Sequence, residues 1–199
     1  LPNSKSLIGF IGGPWTLMNY ACGDLKVTDK FKLDYMKKTL VPLLKKNIDL
    51  QIKAGAEKIM IFDSGLQNMK SKFFDTKYFP ILKSLANKNT AYYSRSLPRK
   101  CISTVLQAKW GGIGVDSKLD MIDCLKTVKK GFVQGNFDEQ KMLLPKYKFM
   151  YEIERYCDDI RKSNIDTSGW VCGLGHGIDK TTPEEHVHLF IETVRNRLS

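Results

Sequence analysis

The sequence predicts an α/β fold with a parallel sheet, because short apolar segments alternate with longer segments of helical periodicity six times along the chain. Each short segment is almost continuously apolar or rich in β-prone residues, which is typical of strands buried on both faces. A doubly wound sheet and an incomplete TIM barrel both fit this alternation. The predicted strands are residues 7–10, 58–62, 91–94, 112–115, 131–133 and 170–174.

The first strong helical stripe lies between the first two predicted strands. Its apolar residues recur at the spacing of one buried helix face. Pro42 falls inside the stripe, and we expect it to kink or divide the helix, because proline lacks the backbone N–H and its ring clashes with the preceding turn. The stripe consists of Met36, Leu40, Leu43, Leu44 and Ile48.

The last predicted helix has both a stripe and a start signal. We expect a capping box with Thr182 as N-cap, Pro183 at the first helical position and Glu185 at the third. The Glu185 carboxylate would also lie near the positive end of the helix dipole. The predicted stripe consists of Val187, Phe190, Ile191, Val194 and Leu198.

Length and composition are those of one folded domain, which we place at residues 1–199. With 42% hydrophobic residues, the chain can bury a substantial core. A complete (β/α)₈ barrel needs about 250 residues, and the chain starts at Leu1 without an initiator Met, so we expect residues upstream to be missing. Because no apolar run approaches the ~20 residues of a membrane span, we expect a soluble protein without a membrane partner.

The five cysteines are widely spaced and include no C-x-x-C pair. This pattern favours free thiols in a reducing compartment and supports neither a disulfide framework nor a structural zinc site. The net charge of +11 comes mostly from lysines and could favour a polyanionic ligand. Since these lysines are spread along the chain without runs or interleaved aromatic residues, we expect no nucleic-acid partner.

The strongest local motif lies in residues 7–20. An apolar strand runs into Gly12 and Gly13 and then into a Pro-Trp-Thr turn that leads to Tyr20. The glycines would expose the backbone where the chain leaves the sheet, which is the usual place for ligand contacts in α/β folds. An ordinary strand-to-helix turn explains the spacing equally well, because the glycines do not form the G-x-G-x-x-G phosphate-binding pattern.

A second motif places Asp63 and Ser64 directly after a predicted strand, followed by Gly65. The carboxylate and hydroxyl could serve a site at the carboxyl end of the sheet. Asp and Ser are also preferred caps of a following helix. For this pair we favour the capping interpretation.

A third motif places His176 between two glycines, directly after the last predicted strand. The glycines keep neighbouring side chains away from the imidazole, which favours a ligand-facing position. We interpret His186 and His188 as helix-surface or rim residues and not as a metal pair, because residues two apart on a helix point in different directions.

Two further strand ends carry polar side chains. Asp116 is a candidate for the architecture of a site at the end of its strand. Asn136 could contribute to a site or stabilise its own loop by bonding nearby backbone. For Gln134 and Asp138 we favour the loop-stabilising interpretation.

Taken together, these segments resemble the uroporphyrinogen decarboxylases. The signature of that family reads Gly-Phe, small residues, Pro-Trp-Thr-Leu, two residues and Tyr, and it matches Gly9 to Tyr20, with Ile11 in place of a small residue. Four further matches follow in the order of the family and extend over almost the whole chain. They lie in residues 54–64, 114–116, 134–138 and 174–177.

The resemblance implies a (β/α)₈ TIM barrel, with about six of the eight β/α units in this chain. It also implies a homodimeric carboxy-lyase of the cytoplasm or a plastid that acts in haem biosynthesis. Such an enzyme converts the four acetate side chains of uroporphyrinogen to methyl groups and yields coproporphyrinogen. The resemblance implies no metal or organic cofactor.

The resemblance also implies which residues form the site. The family's carboxylate-binding arginines and pyrrole-contacting aspartate belong to an N-terminal segment without a match here, so neither Asp63 nor Asp116 is given that role. The implied catalytic residues are Tyr20 and His176, and the implied substrate-binding residues are Phe10, Phe62 and Ser64.

Two other functional classes remain as alternatives. A related barrel methyltransferase that depends on zinc and a corrinoid would need a three-ligand metal site, for which only Cys172 and His176 lie close in the sequence. A basic nucleic-acid-binding module would account for the net charge. It predicts clustered basic residues and stacking aromatic residues, which the sequence does not show.

Overall fold

The computed structural model describes residues 5–95, 97 and 99–198. The chain start at Leu1, on which the expectation of missing upstream residues rests, lies outside these residues. All six predicted strands are present, and two of them have the predicted bounds. The strands are β1 (Ile8–Gly12), β2 (Lys58–Phe62), β3 (Thr90–Tyr93), β4 (Gly112–Gly114), β5 (Phe132–Phe137) and β6 (Trp170–Leu174).

Helices follow every strand of the described chain, as expected for repeated β/α units. Short 3₁₀ turns at Ser64–Leu66, Lys83–Leu85 and Glu139–Leu143 supplement them. The α-helices are α1 (Pro14–Cys22), α2 (Asp29–Tyr35), α3 (Val41–Lys53), α4 (Ser71–Phe73), α5 (Phe79–Leu82), α6 (Arg99–Leu106), α7 (Met121–Thr127), α8 (Lys146–Lys162) and α9 (Glu184–Leu198).

The chain divides into two compact units, Leu1–Ile113 and Gly114–Ser199. In the first unit, β1 pairs in parallel with β2, and β2 pairs in parallel with β3. The register places Phe10 opposite Met60 and Phe62 opposite Tyr93. These parallel pairs confirm the predicted type of sheet.

Burial in the first unit is less symmetric than the sequence predicts. Side chains of β2 and β3 are largely buried, but Ile8 and Phe10 of β1 are exposed. The expectation that every strand is buried on both faces is therefore wrong for β1, which has its paired neighbour, β2, on one side. In the helical stripe, Met36, Leu44 and Ile48 are buried as expected, while Leu43 is 59% exposed.

Two prolines of this unit follow π-helical turns. The turn Met36–Leu40 joins α2 to α3, and Pro42 is the second residue of α3. The turn Phe74–Tyr78 joins α4 to α5, and Pro80 is the second residue of α5. The first residue after each turn donates its N–H to the carbonyl five residues earlier. A widened turn relieves the clash between the proline ring and the preceding carbonyl. Pro42 thus divides the first long helix, as predicted.

In the second unit, β5 pairs in parallel with β6. The N–H of Val115, just after β4, donates to the carbonyl of Gln134 on β5 (2.9 Å). Helices α8 and α9 pack on each other over an apolar core. The fully buried part of this core consists of Phe137, Met142, Phe149, Ile153, Cys157 and Phe190.

Helix α9 departs from its predicted start and stripe. The helix begins at Glu184, and Thr182 Oγ1 is buried without a hydrogen-bond partner, so the predicted capping bond does not form. The Glu185 carboxylate instead pairs with Lys146 of α8. Phe190 is buried as predicted, whereas Ile191 is exposed, because the buried face of the helix includes His186.

Candidate active site

Two aromatic side chains on neighbouring strands of the first unit form an exposed wall. Phe10 on β1 is 69% exposed and Phe62 at the end of β2 is 41% exposed. Their ring centroids lie 6.1 Å apart in an edge-to-face arrangement, and the Phe62 ring meets Tyr93 of β3 at 5.7 Å. Aromatic rings left uncovered on a sheet offer an apolar surface that a flat ligand can bury.

Directly after this wall, Asp63 is fully buried among hydrogen-bond donors. Its carboxylate accepts bonds from the N–H (3.0 Å) and hydroxyl (2.8 Å) of Thr16 and from the hydroxyls of Tyr78 and Tyr92. We call these four residues the Asp63 cluster. Burial raises the pKa of the Asp63 carboxyl above its usual value, although the bonds from Tyr78 and Thr16 act in the opposite direction.

The prediction that Asp63 caps the helix directly after it is wrong. The Asp63 side chain makes no capping bond to the 3₁₀ turn that follows it. It accepts instead from the N–H of Thr16, the third residue of α1, whose own N-cap position is held by Gly13 without a side-chain bond. Asp63 therefore satisfies a free N–H at the start of a helix, but the helix belongs to a distant part of the sequence.

Tyr20 and Ser64 lie on the two segments that the Asp63 cluster joins. Tyr20 is 78% exposed on α1, one helical turn beyond Thr16. Ser64 opens the 3₁₀ turn after β2, and its neighbour Gly65 donates its N–H to the Thr16 hydroxyl at 2.9 Å. Ser64 thus follows the aromatic wall closely in sequence, and Thr16 links its turn to the helix that carries Tyr20.

His176 lies in the second unit and is partly buried just after β6. The preceding Gly175 donates its N–H to the carbonyl of Phe137 (2.7 Å). A Cβ atom at residue 175 would lie 2.6 Å from the Ser117 nitrogen, whereas one at Gly177 would meet open space. The first glycine is therefore required by close packing of the backbone, and the strand-end position of His176 agrees with its predicted place.

The two other histidines differ from each other. His188 is exposed near Glu184 (3.6 Å), as predicted for a rim residue. His186 is only 5% exposed, which contradicts the surface prediction. Its Nδ1 lies 2.8 Å from the carbonyl oxygen of Met142, and its ring stacks on Phe149 at 4.7 Å. His186 is thus a hydrogen-bonded core residue.

The polar residues of β5 and of the loops after β4 and β5 bond to backbone. Asn136 lies within β5, and its side chain stabilises the loop after β4 instead of its own loop. The amide of Asn136 donates to the carbonyl of Asp116 (2.9 Å). The Asp116 carboxylate is buried and accepts from the N–H of Lys118 (3.0 Å). Asp138 caps the 3₁₀ turn that follows it, as predicted. These contacts account for Asn136 and Asp138 without a ligand.

Metal ligands are not grouped in the described part of the chain. Among those residues, no three His, Cys, Asp or Glu side chains are placed to hold a metal ion. Burial raises the pKa of the Cys172 thiol to about 12, which disfavours the thiolate that zinc binding needs. Among the described residues, Cys172 and His176 are therefore not accompanied by a third ligand that would complete a zinc site.

Comparison with known proteins decides the family. The model of the uroporphyrinogen decarboxylase family matches residues 1–197. The chain belongs to the uroporphyrinogen decarboxylase family. It is 31% identical over 223 residues to the curated uroporphyrinogen decarboxylase of Photorhabdus laumondii, which covers 98% of this chain and 60% of the relative.

A uroporphyrinogen decarboxylase of Synechococcus sp. is 29% identical over 208 residues, which cover 96% of this chain and 59% of the relative. The chain thus spans about three-fifths of the length of these uroporphyrinogen decarboxylases.

Solved structures agree on the fold of this uroporphyrinogen decarboxylase family member. A methyltransferase from Methanosarcina mazei superposes with a TM-score of 0.73 at 18% identity, covering 98% of this chain and 59% of its own. A B12-independent methionine synthase from Shewanella sp. W3-18-1 superposes with a TM-score of 0.66 at 12% identity. The superposition covers 97% of this chain and 61% of the synthase chain. At such identities the likeness shows the fold alone. It confirms an α/β fold with about six of the eight β/α units of a TIM barrel.

Proposed function

We propose that the chain supplies part of the active site of a uroporphyrinogen decarboxylase. This carboxy-lyase removes carbon dioxide from the four acetate side chains of uroporphyrinogen and gives coproporphyrinogen in haem biosynthesis. Family membership supports the reaction class. The observation that carries the proposal is the exposed Phe10–Phe62 wall on β1 and β2, the two strands that precede Tyr20 and Ser64 in the chain.

The aromatic wall suits the flat apolar part of a tetrapyrrole. Phe10 and Phe62 both keep exposed ring surface that a ligand can cover, Phe10 more than Phe62. Covering one aromatic side chain contributes about 2 kcal/mol. Such contacts hold the macrocycle but do not determine which of its four acetate groups faces the polar residues of the site.

The polar groups suit the reacting acetate. When carbon dioxide leaves, the bonding electron pair passes into a protonated pyrrole. The exocyclic carbon then takes up a proton to become a methyl group, and the ring releases the proton that it had taken up, which restores the aromatic pyrrole. Tyr20 and His176 carry exchangeable protons and can also donate hydrogen bonds to carboxylates, whereas Ser64 can orient a carboxylate but is a poor acid. We therefore assign Tyr20 and His176 catalytic roles and Ser64 a binding role.

The partners that we propose rest on membership of the family and on the composition of the chain. We propose a homodimer of single-domain chains in the cytoplasm or a plastid that needs neither a metal nor an organic cofactor. We propose no nucleic-acid partner and no membrane partner. Among the helices of the described residues, none has the length and apolar character to cross a membrane.

The test is conversion of uroporphyrinogen by the longest natural polypeptide that contains this sequence. Tyr20→Phe keeps the ring and removes one donor, and loss of a transition-state donor lowers kcat by up to ~10² to 10³. Tyr147→Phe alters an equally exposed tyrosine on α8 and should leave kcat unchanged.

Two outcomes would contradict the proposal. One is a wild-type protein that folds but forms no coproporphyrinogen. The other is stoichiometric zinc in the purified protein together with methyl transfer, which would favour the methyltransferase alternative.

A further inference from the structure

Asp63 connects three segments of the first unit that follow one another along the sheet. Its N–H donates to the carbonyl of Tyr93 at the end of β3 (2.9 Å), and its own carbonyl accepts from the hydroxyl of Ser94 (2.9 Å). The backbone of Asp63 is thereby fixed to β3. Its carboxylate accepts from Tyr92 of β3 and also from Thr16 of α1, and so joins β3 to the helix after β1.

The Thr16 hydroxyl extends this connection to the turn that carries Ser64. It donates to Asp63 (2.8 Å) and accepts the N–H of Gly65 (2.9 Å). The turn is packed directly on α1, because a Cβ atom at Gly65 would lie 3.2 Å from both Thr16 Oγ1 and Asn19 Nδ2. One hydroxyl group therefore holds the turn after β2 against the helix after β1.

Tyr78 fixes the start of the same helix from a third direction. Its hydroxyl donates to Asp63 and accepts the N–H of Trp15 (3.2 Å). The rings of Trp15 and Tyr78 also pack with centroids 5.7 Å apart. A Cβ atom at Gly13 would lie 2.3 Å from the Asp63 side chain, so the turn before α1 has no room to shift towards β2.

We propose that Thr16 and Asp63 are positioning residues, which set the spacing between Tyr20 on α1 and Ser64 on the turn after β2. The inference rests on the proposed function, since it concerns the site that Tyr20 and Ser64 form. Thr16 and Asp63 are themselves buried and do not reach a ligand. They act through the two segments that they join, α1 and the turn after β2. The spacing between Tyr20 and Ser64 then determines how far apart two substrate carboxylates bound to them can lie.

Thr16→Val is the sharpest test, because it keeps the shape of the side chain and removes only the bridging hydroxyl. A displacement of about 1 Å in a site can cost ~10²-fold in rate. We expect Thr16→Val to lower kcat/KM by about 10- to 100-fold at temperatures well below its Tm. Thr16→Ser restores the hydroxyl and should restore most of kcat/KM.

A merely structural role gives a different result. In that case Thr16→Val lowers Tm but leaves kcat and KM of the folded fraction at wild-type values, and the proposal is overturned. If Thr16→Val does not fold, Tyr78→Phe serves as the second variant, since it removes the bonds to Trp15 and Asp63 while leaving Thr16 intact. Wild-type kcat and KM in folded Tyr78→Phe would overturn the positioning role of Asp63, because that variant removes one of the bonds through which Asp63 is joined to α1.

Amide hydrogen exchange separates this inference from the proposed function. The Gly65 N–H should exchange faster in Thr16→Val than in Thr16→Ser, whatever reaction the protein catalyses. A wild-type protein inactive towards uroporphyrinogen would contradict the proposed function alone. Unchanged exchange at Gly65 in Thr16→Val would contradict the positioning role alone.

Discussion

Phe10 and Phe62 meet edge to face across β1 and β2, with their ring centroids 6.1 Å apart. Both rings are exposed, although each belongs to a strand whose backbone is paired. An apolar surface of this kind contributes little to folding, because the rings remain in contact with water. Its value lies in what it can bind.

Phe10→Ala should therefore weaken binding and leave stability almost unchanged. Removing one aromatic contact of about 2 kcal/mol corresponds to a rise in KM of roughly 30-fold. Steady-state kinetics with uroporphyrinogen and thermal unfolding measure the two effects. Phe31→Ala, which removes another exposed ring on α2, is the matched control. Equal KM values in the two variants would exclude Phe10 from the site.

His176→Ala should lower turnover or change the distribution of partly decarboxylated products while the fold stays intact. The loss of one general acid typically costs about 10² to 10⁴ in rate. His188→Ala is the control, because His188 is exposed on α9, where its Nε2 lies 3.6 Å from Glu184. Chromatography of the products and circular dichroism give the two readouts. Kinetics that match those of His188→Ala would remove His176 from the catalytic residues.

His186→Ala should destabilise the second unit. The substitution leaves the Met142 carbonyl without its partner and removes a ring stacked on Phe149. We expect the free energy of unfolding to fall by about 2 to 4 kcal/mol. Urea unfolding measures this change, and His188→Ala again serves as the control. A loss below that of the control would mean that the predicted surface position was correct after all.

Asp63 should make stability depend on pH. Burial raises its pKa above the model-peptide value of 3.8, so the folded protein holds the proton more tightly than the unfolded chain. This contribution is complete below pH 3.8 and is lost as the pH rises through the pKa of the folded state. Asp63→Asn does not titrate.

The difference in unfolding free energy, wild type minus Asp63→Asn, should therefore decrease as the pH is raised from below 3.8 towards neutrality. Urea unfolding at a series of pH values measures it. An increase with pH would mean that the four bonds to the carboxylate outweigh its burial.

The strands could be predicted because buried parallel strands leave a local mark in the sequence. Residues 59–62 and 170–174 form continuous apolar runs, and the predicted strands 58–62 and 170–174 match the structure. Burial of individual side chains depends on neighbours that are distant in the sequence. For that reason the exposure of Phe10 and the burial of His186 were not predicted from local periodicity.

The site shows the same division. The strand-end position of His176 favoured a ligand-facing role, since the end of a parallel strand can be recognised locally. Ser64 was predicted as a site residue only through the family resemblance, and both roles stay predictions. The partners of Asp63 could not be found in this way. Tyr78 lies on a separate helix, and its hydroxyl reaches Asp63 only because of how that helix packs. Asp63 has the chemistry of a helix cap, but its helix was identified only in three dimensions.

The π-helical turn before Pro80 links the surface of the protein to this buried carboxylate. Tyr78 is the last residue of the turn, and Pro80 follows two residues later on the exposed side of α5. Replacing Pro80 by alanine would restore an N–H to the helix and remove the steric reason for the wide turn. The helix could then tighten and withdraw the Tyr78 hydroxyl from Asp63. A substitution at the solvent-facing Pro80 would thus change the hydrogen bonding of the buried Asp63, although the effect does not require contact between the two residues.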